Sequence, residues 1–298
     1  MLAIAVWVTL TTPSPVDSLL LARNGKIAAA VGGDHKLYIW SLPDAALLRT
    51  VDITPNAIAL TAISDDGRWV MISDYNGEVA VWETAAGQSQ FITHYDHYLT
   101  AAAFSRDSQH LAIAPGAAPV RIIDVASQRL LSTLEPAPFT GAIAFSRDGQ
   151  RIAMALDDGV RVFDVSSGKS ISHNRDFLME PLTLDFTSDA KQVTAGGADK
   201  LVLLIDAATG KTIRRTTKSE QAVVCVEVSP DGKHLAAGTL NADNIRLPAP
   251  VVICEIPSLQ KETEWMPPSG LVLGTWTSDG HYIAATATRE AVRLWRVH

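Results

Sequence analysis

One short polar turn recurs seven times along the chain at almost constant spacing, and this period limits the fold more than any other feature. Its clearest copy is Arg147-Asp148-Gly149, which follows the apolar run AIAF. The seven turns end at Gly25, Gly67, Ser108, Gly149, Ala190, Gly232 and Gly280. A repeat of about 40–45 residues that fills a whole chain predicts a closed or stacked repeat architecture.

Each repeat contains the same sequence of segments. An apolar run precedes the turn, two more apolar runs follow it, and a polar, charge-bearing segment ends the repeat. Short β-type runs separated by Gly, Asn, Asp and Pro are typical of strands, and no stretch keeps helical spacing for three turns. Four strands in about 40–45 residues predict one blade of a β-propeller, with the charged fourth strand at the exposed outer edge.

The ends of the third apolar runs resemble the Trp-Asp ending of WD repeats, and FSRDG resembles that family's FSPDG turn. The seven endings are Trp40-Ser41, Trp82-Glu83, Ile123-Asp124, Phe163-Asp164, Ile205-Asp206, Cys254-Glu255 and Trp295-Arg296. The resemblance covers essentially the whole chain. It implies an all-β, seven-bladed propeller of four-stranded antiparallel blades that serves as a non-catalytic interaction scaffold.

The chain departs from the family pattern in its polar positions. No Gly-His precedes any first strand, whereas the aspartate expected before the third strand is kept at Asp34, Asp157 and Asp199, with Asn76 as a partial match. Aspartate and asparagine side chains bind the local backbone in turns, so we interpret these four as turn formers. The sequence therefore predicts a degenerate member of the family whose blades are held mainly by packing.

The two chain ends predict how the ring closes. The first repeat begins with a strand near Val16–Ala22, and the last ends after its third strand. One fourth strand is therefore missing at the end, and one apolar strand, residues 3–10, is spare at the start. We expect this N-terminal strand to complete the last blade, so that residues 1–298 form a single propeller domain.

Composition restricts the partners and the location. The formal charge of −7 argues against binding to a phosphate backbone, so no nucleic-acid partner is expected. The run Lys211–Lys218 is interpreted as a solubilising strand edge. The apolar start MLAIAVWVTLTT has no preceding Lys or Arg and is too short to span a bilayer, so no membrane partner is expected. We expect a soluble, cytoplasmic protein, with a periplasmic or secreted location left open if a signal was removed.

No motif in the sequence predicts a cofactor, a metal or a catalytic set. Gly168-Lys169-Ser170 and Gly210-Lys211-Thr212 lack the earlier glycine of a phosphate-binding loop and are predicted to be hairpin turns. The cluster His94–His97 offers too few ligands for zinc. Cys225 and Cys254 fall on the first and third strands of one repeat, too far apart for a disulfide.

The loops that join fourth strands to the next first strands carry the candidate partner-binding residues. Aromatic, Met and Arg side chains are enriched at interface hot spots, whereas loops normally prefer polar residues. A further candidate, Arg246, comes from a polar insertion between the regular strands that lengthens the sixth repeat and is expected to project on the same face. The candidates are Tyr95, His97, Tyr98, Phe139, Phe177, Met179, Arg246 and Trp265. The alternative is that the rings turn inward and fill gaps between blades.

The sequence favours a non-catalytic platform that binds a protein or peptide, acting as a monomeric propeller or as a module of a larger assembly. The competing hypothesis is a propeller enzyme, similar to lactonases or cofactor-dependent dehydrogenases, with its site at the mouth of the central channel. Convergence of three or more carboxylates or imidazoles on the axis would favour the enzyme.

Overall fold

The computed structural model describes residues 6–116, 118–134, 140–240, 249–266, 272–287 and 291–297. Its regular secondary structure consists of 28 strands. The first fourteen are β1 (Val6–Thr11), β2 (Val16–Leu21), β3 (Ile27–Gly32), β4 (Lys36–Ser41), β5 (Ala46–Asp52), β6 (Ile58–Ile63), β7 (Trp69–Asp74), β8 (Glu78–Glu83), β9 (Gln88–His94), β10 (Leu99–Phe104), β11 (His110–Pro115), β12 (Arg121–Asp124), β13 (Leu130–Thr133) and β14 (Thr140–Phe145). The others are β15 (Arg151–Leu156), β16 (Gly159–Asp164), β17 (Ser170–Asn174), β18 (Pro181–Phe186), β19 (Gln192–Gly197), β20 (Val202–Asp206), β21 (Thr212–Arg215), β22 (Ala222–Val228), β23 (His234–Leu240), β24 (Val251–Glu255), β25 (Lys261–Trp265), β26 (Val272–Trp276), β27 (Tyr282–Ala287) and β28 (Ala291–Val297).

The strands pair into seven four-stranded antiparallel sheets. Six of them use four strands that are consecutive in the chain, beginning with β2–β5 and ending with β22–β25. The seventh has the order β1-β28-β27-β26, so the N-terminal strand pairs with the last strand of the chain. The all-β prediction is confirmed, and the spare strand is observed at Val6–Thr11 instead of residues 3–10, of which 3–5 lie outside the described residues.

Burial differs sharply between the second and fourth strands of a sheet. The five residues from Ile152 to Leu156 on β15 are all buried, whereas most of β5 and β21 is exposed. A strand flanked by neighbouring sheets is covered on both faces and can be apolar throughout. The exposed outer strands contain charged or hydroxyl side chains beside apolar ones, which discourages pairing with another chain.

Neighbouring sheets share apolar clusters. Phe145 and Phe163 from the fourth sheet are fully buried against alanine, isoleucine and leucine side chains of the third. At the chain ends, Leu10 of β1 is buried with Tyr38 and Trp40 of the first sheet. The first strands also contact one another in order, from β2 to β6 through to β26, and β26 contacts β2.

The recurring turn has a specific hydrogen-bonded structure. Ser146 Oγ donates to Asp148 Oδ1 over 2.6 Å and accepts from Arg151 N over 2.9 Å. Asp148 Oδ1 also accepts from Gln150 N over 3.0 Å, and Gly149 adopts a φ of +69°. The same hydroxyl-to-aspartate bond occurs at Ser64–Asp66, Ser105–Asp107, Thr187–Asp189, Ser229–Asp231 and Thr277–Asp279. The repeated polar residues thus close a turn.

The aspartates predicted to form turns have different roles. Asp199 accepts from the Leu201 N–H of its own turn, as the sequence predicts. Asp34 instead accepts a hydrogen bond from the hydroxyl of Tyr38. Asp74, which the sequence pattern does not single out, is fully buried and accepts from two backbone N–H groups of its own turn.

The remaining sequence motifs are structural. Gly168 and Gly210 lie in turns between third and fourth strands with φ of +69° and +74°, which confirms that the Gly-Lys motifs are hairpin turns. Cys225 and Cys254 are free thiols on β22 and β24, with β23 between them. Burial raises the pKa of Cys225 to about 12 and that of Cys254 to about 11, so both stay protonated at neutral pH.

Candidate functional site

The sheets have two ends with different chemistry. We call the end that carries the seven recurring turns, between first and second strands, the anchor face. The opposite end, with the turns between second and third strands and the connections from fourth to next first strands, is the loop face. Antiparallel pairing places these two sets of connections at opposite ends of each sheet.

Tyr98 is the most exposed of the predicted aromatic binding residues that the structure describes. It immediately precedes β10, and 45% of it is exposed. Its ring lies 5.8 Å from that of Tyr75, at an angle of 55°, and Tyr75 is 60% exposed. Two exposed tyrosines in contact form a rigid, amphipathic surface of the kind that is enriched in protein interfaces.

Tyr95 and His97 lie in the same loop but differ in burial. The Tyr95 ring is buried, lies 5.4 Å from the Arg121 guanidinium, and packs in a cluster with Leu99 and Trp69. Burial raises the pKa of its hydroxyl. Tyr95 therefore turns inward and fills space between sheets, which was the alternative to partner binding. His97, in contrast, is exposed beside Tyr98.

The loop that leads to β18 also divides its side chains between packing and exposure. Phe177 is half-buried and packs against the apolar cluster shared by the fourth and fifth sheets. The next two residues point outward, with Leu178 84% exposed and Met179 58% exposed. Leu178 is absent from the predicted set because the sequence analysis gave priority to aromatic residues and Met.

Trp265 is the last residue of β25 and is half-buried. It packs against a cluster that contains Ile253 and Trp276, and its ring lies 5.5 Å from that of Trp295. Its position therefore agrees with packing between sheets. Phe139 and Arg246, the two other predicted residues, lie outside the described residues.

A cluster of five charged side chains occupies the centre of the anchor face. Asp185, 4% exposed on β18, lies at its middle. Its carboxylate accepts from Arg106 Nη2 over 2.6 Å and from Arg23 Nη2 over 3.2 Å. The backbone N–H groups of Phe186 and Val228 also donate to it, over 2.9 and 3.0 Å. Four donors satisfy this carboxylate.

Two further carboxylates complete the cluster. Glu227, on β22, lies 3.1 Å from Arg23 and accepts from Thr275 Oγ1 and Trp276 N, each over 3.1 Å. Asp65, in the second recurring turn, lies 3.5 Å from Arg106 Nη1. Arg23, Asp65, Arg106, Asp185 and Glu227 come from five different sheets. Their ion pairs therefore connect distant parts of the chain across the centre.

The cluster contains one more carboxylate than it has guanidinium groups. Burial raises the pKa of both Glu227 and Asp65 above their ordinary values, although Arg23 and Arg106 oppose this shift. The neighbouring carboxylates raise the pKa of the Arg106 guanidinium.

A cavity of about 330 Å³ opens over the cluster and is lined by residues from all seven recurring turns or the strands beside them. Arg147 is exposed at its rim and donates to the carbonyl oxygen of Pro230 over 3.0 Å. Among the described residues, no carboxylate lies within ion-pair distance of Arg147. No group of His, Cys, Asp or Glu in the described part of the chain is arranged to hold a metal ion.

The predicted site residues do not include this cluster, although the sequence contains signals for it. Asp185 and Glu227 interrupt first-strand runs, LTLDF and VCVEV, that otherwise read as apolar. Arg23, Asp65 and Arg106 occupy the turn position where FSPDG has proline. Charged residues at these two places in the repeat point toward a shared centre.

Comparisons with known proteins agree with the repeat pattern. The WD domain, G-beta repeat family matches residues 210–245. An uncharacterized WD repeat-containing protein of Synechocystis sp. is 24% identical over 50% of this chain and 43% of its own length. The WD repeat-containing protein SL1-17 of Schistosoma mansoni is 25% identical over 52% of each chain. Autophagy-related protein 18 of Scheffersomyces stipitis is 25% identical over 74% of this chain and 39% of its own length.

Together, the repeats, the antiparallel four-stranded sheets and these matches support a relationship of the chain to the WD-repeat family. The chain spans about half or less of the length of the relatives that it matches. WD-repeat proteins generally serve as interaction scaffolds without catalytic activity. No helix in the described residues has the length and apolar character needed to cross a bilayer.

Proposed function

We propose that this chain is a non-catalytic interaction platform, formed by residues 1–298 as one closed seven-bladed propeller, that binds a protein or peptide on its loop face. The observation that carries the binding proposal is the pair Tyr75 and Tyr98, which are 60% and 45% exposed and whose rings lie 5.8 Å apart. His97, next to Tyr98, and Met179, on the loop that leads to β18, are also exposed on this face.

Strand contacts support the closed propeller. The first strands contact one another in order and β26 contacts β2, while β1 adds the fourth strand to the last sheet. Deletion of residues 1–11 would uncover the edge of β28 and remove Leu10 from its cluster with Trp40. We expect a sharply lower unfolding temperature in a thermal melt, and an unchanged temperature would contradict closure by this strand.

The binding proposal is tested with the double variant Tyr75→Ala/Tyr98→Ala. Wild type, this variant and the control Leu130→Ala, which removes an exposed side chain from an outer strand, are used to capture proteins from an extract of the source organism. We expect at least one protein to be retained by wild type and control but lost by the double variant. Identical captured sets, at equal unfolding temperatures, would contradict the proposal.

A second candidate function is a small-molecule or enzymatic site at the anchor face. The convergence of Asp65, Asp185 and Glu227 is the feature that the sequence analysis associated with an enzyme. Arg23 and Arg106 already pair with these carboxylates, and Asp185 has four donors, which favours a structural role. Catalytic turnover of a lactone or an alcohol by the purified protein, abolished by Asp65→Asn, would support this second candidate.

A further inference from the structure

A second cavity lies on the loop face, between the turn that joins β15 to β16 and the loop that leads to β18. Its volume is about 420 Å³. Three carboxylates, those of Asp157, Asp158 and Glu180, line it together with apolar side chains that include Leu178 and Met179. The cavity thus combines negative charge with the most exposed large hydrophobic side chain of the described residues, Leu178.

The loop that presents Leu178 and Met179 is held in place by the fold. Asp176 Oδ2 accepts from Thr212 Oγ1 over 2.5 Å, and Phe177 packs into the cluster beneath the loop. The Leu178 N–H points to a carboxylate oxygen of Asp199 at 3.4 Å. The apolar side chains are therefore exposed on an anchored backbone, which reduces the entropy lost on binding.

The opposite wall of the cavity is equally constrained. Gly159 has a φ of +125°, and a Cβ built there would lie 2.0 Å from the carbonyl oxygen of Asn174. Only glycine allows this close approach of the turn to β17. The turn therefore keeps Asp157 and Asp158 next to the loop.

Two of the three carboxylates have no ion-pair partner in the part of the chain that the structure describes. Asp158 pairs with Arg161 over 2.5 Å and lies 3.4 Å from His173. No ion pair within the described residues involves Asp157 or Glu180. Arg175 is exposed in the same loop but does not line the cavity. A ligand with one or two positive charges would compensate the two free carboxylates.

We propose that this cavity binds a partner segment in which a lysine or arginine stands next to a large apolar side chain. The positive group would lie between Asp157 and Glu180, and the apolar side chain would cover Leu178 and Met179. The net charge of −7 supports electrostatic attraction of a basic segment. This inference rests on the proposed function, since it names the partner chemistry for one part of the loop face.

The test is selection from a random-peptide display library against the wild-type protein, followed by fluorescence polarisation with the selected peptides. We expect selected peptides to carry Lys or Arg beside Leu, Ile, Phe or Trp. Asp157→Asn/Glu180→Gln should weaken their binding about fivefold, and added salt should reduce this difference. Leu178→Ala/Met179→Ala should weaken it about tenfold.

Matched controls are Asp44→Asn, an exposed aspartate outside the loop face, and Leu131→Ala, an exposed leucine on β13. Both should bind the peptides as wild type does, and equal unfolding temperatures verify that every variant is folded. The inference is overturned if no peptide is selected, if the peptides lack basic residues, or if the cavity variants bind normally. If the selected peptides bind the cavity variants normally but no longer bind Tyr75→Ala/Tyr98→Ala, this inference is wrong and the proposed function stands. If the peptides bind the cavity variants and the tyrosine variant equally well, the result counts against the proposed function too.

Discussion

The two faces of the molecule carry different side chains, which differ in how far the protein itself covers and pairs them. On the anchor face, Arg23, Arg106 and Asp185 are bound to one another and to backbone groups of different sheets. On the loop face, Tyr75 and Tyr98 contact each other and are 60% and 45% exposed. Groups that are satisfied internally stabilise the fold, whereas exposed aromatic groups remain available to a partner. The contrast agrees with a stabilising role for the anchor-face cluster and with the proposed recognition by the loop face.

The largest expected effect is on the anchor face. Asp185→Ala would leave Arg23 and Arg106 without their shared buried partner, and breaking a buried pair in this way costs about 3–5 kcal/mol. We expect a loss of this size in the free energy of unfolding measured with urea. Asp44→Asn, at an exposed site, is the control and should change little. Unaltered stability of Asp185→Ala would remove the structural role of the cluster.

A smaller effect is expected at one recurring turn. Ser146→Ala removes both the donor to Asp148 and the acceptor for Arg151 N, which should cost about 1–2 kcal/mol in unfolding free energy. Ser258→Ala, which removes an exposed hydroxyl that donates to Glu255, should cost less than about 0.5 kcal/mol. Equal losses of unfolding free energy in the two variants, measured by urea denaturation, would show that the Ser146 hydroxyl stabilises the fold no more than an exposed hydroxyl does.

The pH dependence of stability distinguishes the cluster carboxylates from those in the turns. Burial raises the pKa of Glu227 above its ordinary value of 4.5, so the folded state binds this proton more tightly than the unfolded state does. Stability from this group is complete below pH 4.5 and is lost as pH rises through the higher pKa of the folded state. Glu227→Gln removes this titration.

The turn aspartates provide the opposite sign. The hydrogen bond from Ser146 lowers the pKa of Asp148 below 3.8. The stability contributed by Asp148 is therefore present above pH 3.8 and is lost on acidification through the lower pKa of the folded state.

The raised pKa of Glu227 is tested by thermal melts at several pH values. The stability of Glu227→Gln relative to wild type should increase as pH rises from 4.5. A difference that is constant with pH would contradict the assignment.

The smallest effect on stability is expected on the loop face. Tyr75→Ala/Tyr98→Ala removes two exposed rings, so the free energy of unfolding should change by only about 1 kcal/mol or less. Urea denaturation of the double variant beside Asp185→Ala compares the two faces directly. A loss as large as that of Asp185→Ala would show that the tyrosines are part of the core.

The sequence predicts the strands well but the centre poorly. The first strand of the first repeat, expected near Val16–Ala22, is observed at Val16–Leu21, because turn spacing and alternation are local signals. Arg23 and Asp185 are 162 residues apart, and only the arrangement of whole sheets brings them together. Glu227 was overlooked for the same reason, within a run that is otherwise apolar.

On the loop face, the sequence locates the region but does not separate the roles of its residues. Tyr95 and Tyr98 are three residues apart in one loop, yet the first is buried and the second exposed. The difference follows from the neighbouring β-sheets, since Tyr95 packs into an apolar cluster beside Arg121. Tyr75 is not among the predicted residues because it lies in the short turn with Asn76, for which the sequence predicts only a turn-forming role.

The assignment of recognition to the loop face is tested most directly by site-specific photo-crosslinking. A photoreactive amino acid replaces Tyr98 on the loop face in one protein and Arg147 at the rim of the anchor-face cavity in another. After irradiation in an extract of the source organism, crosslinked proteins are identified by mass spectrometry. We expect a specific crosslinked partner from position 98 and none from position 147. Crosslinking from position 147 alone would contradict recognition by the loop face.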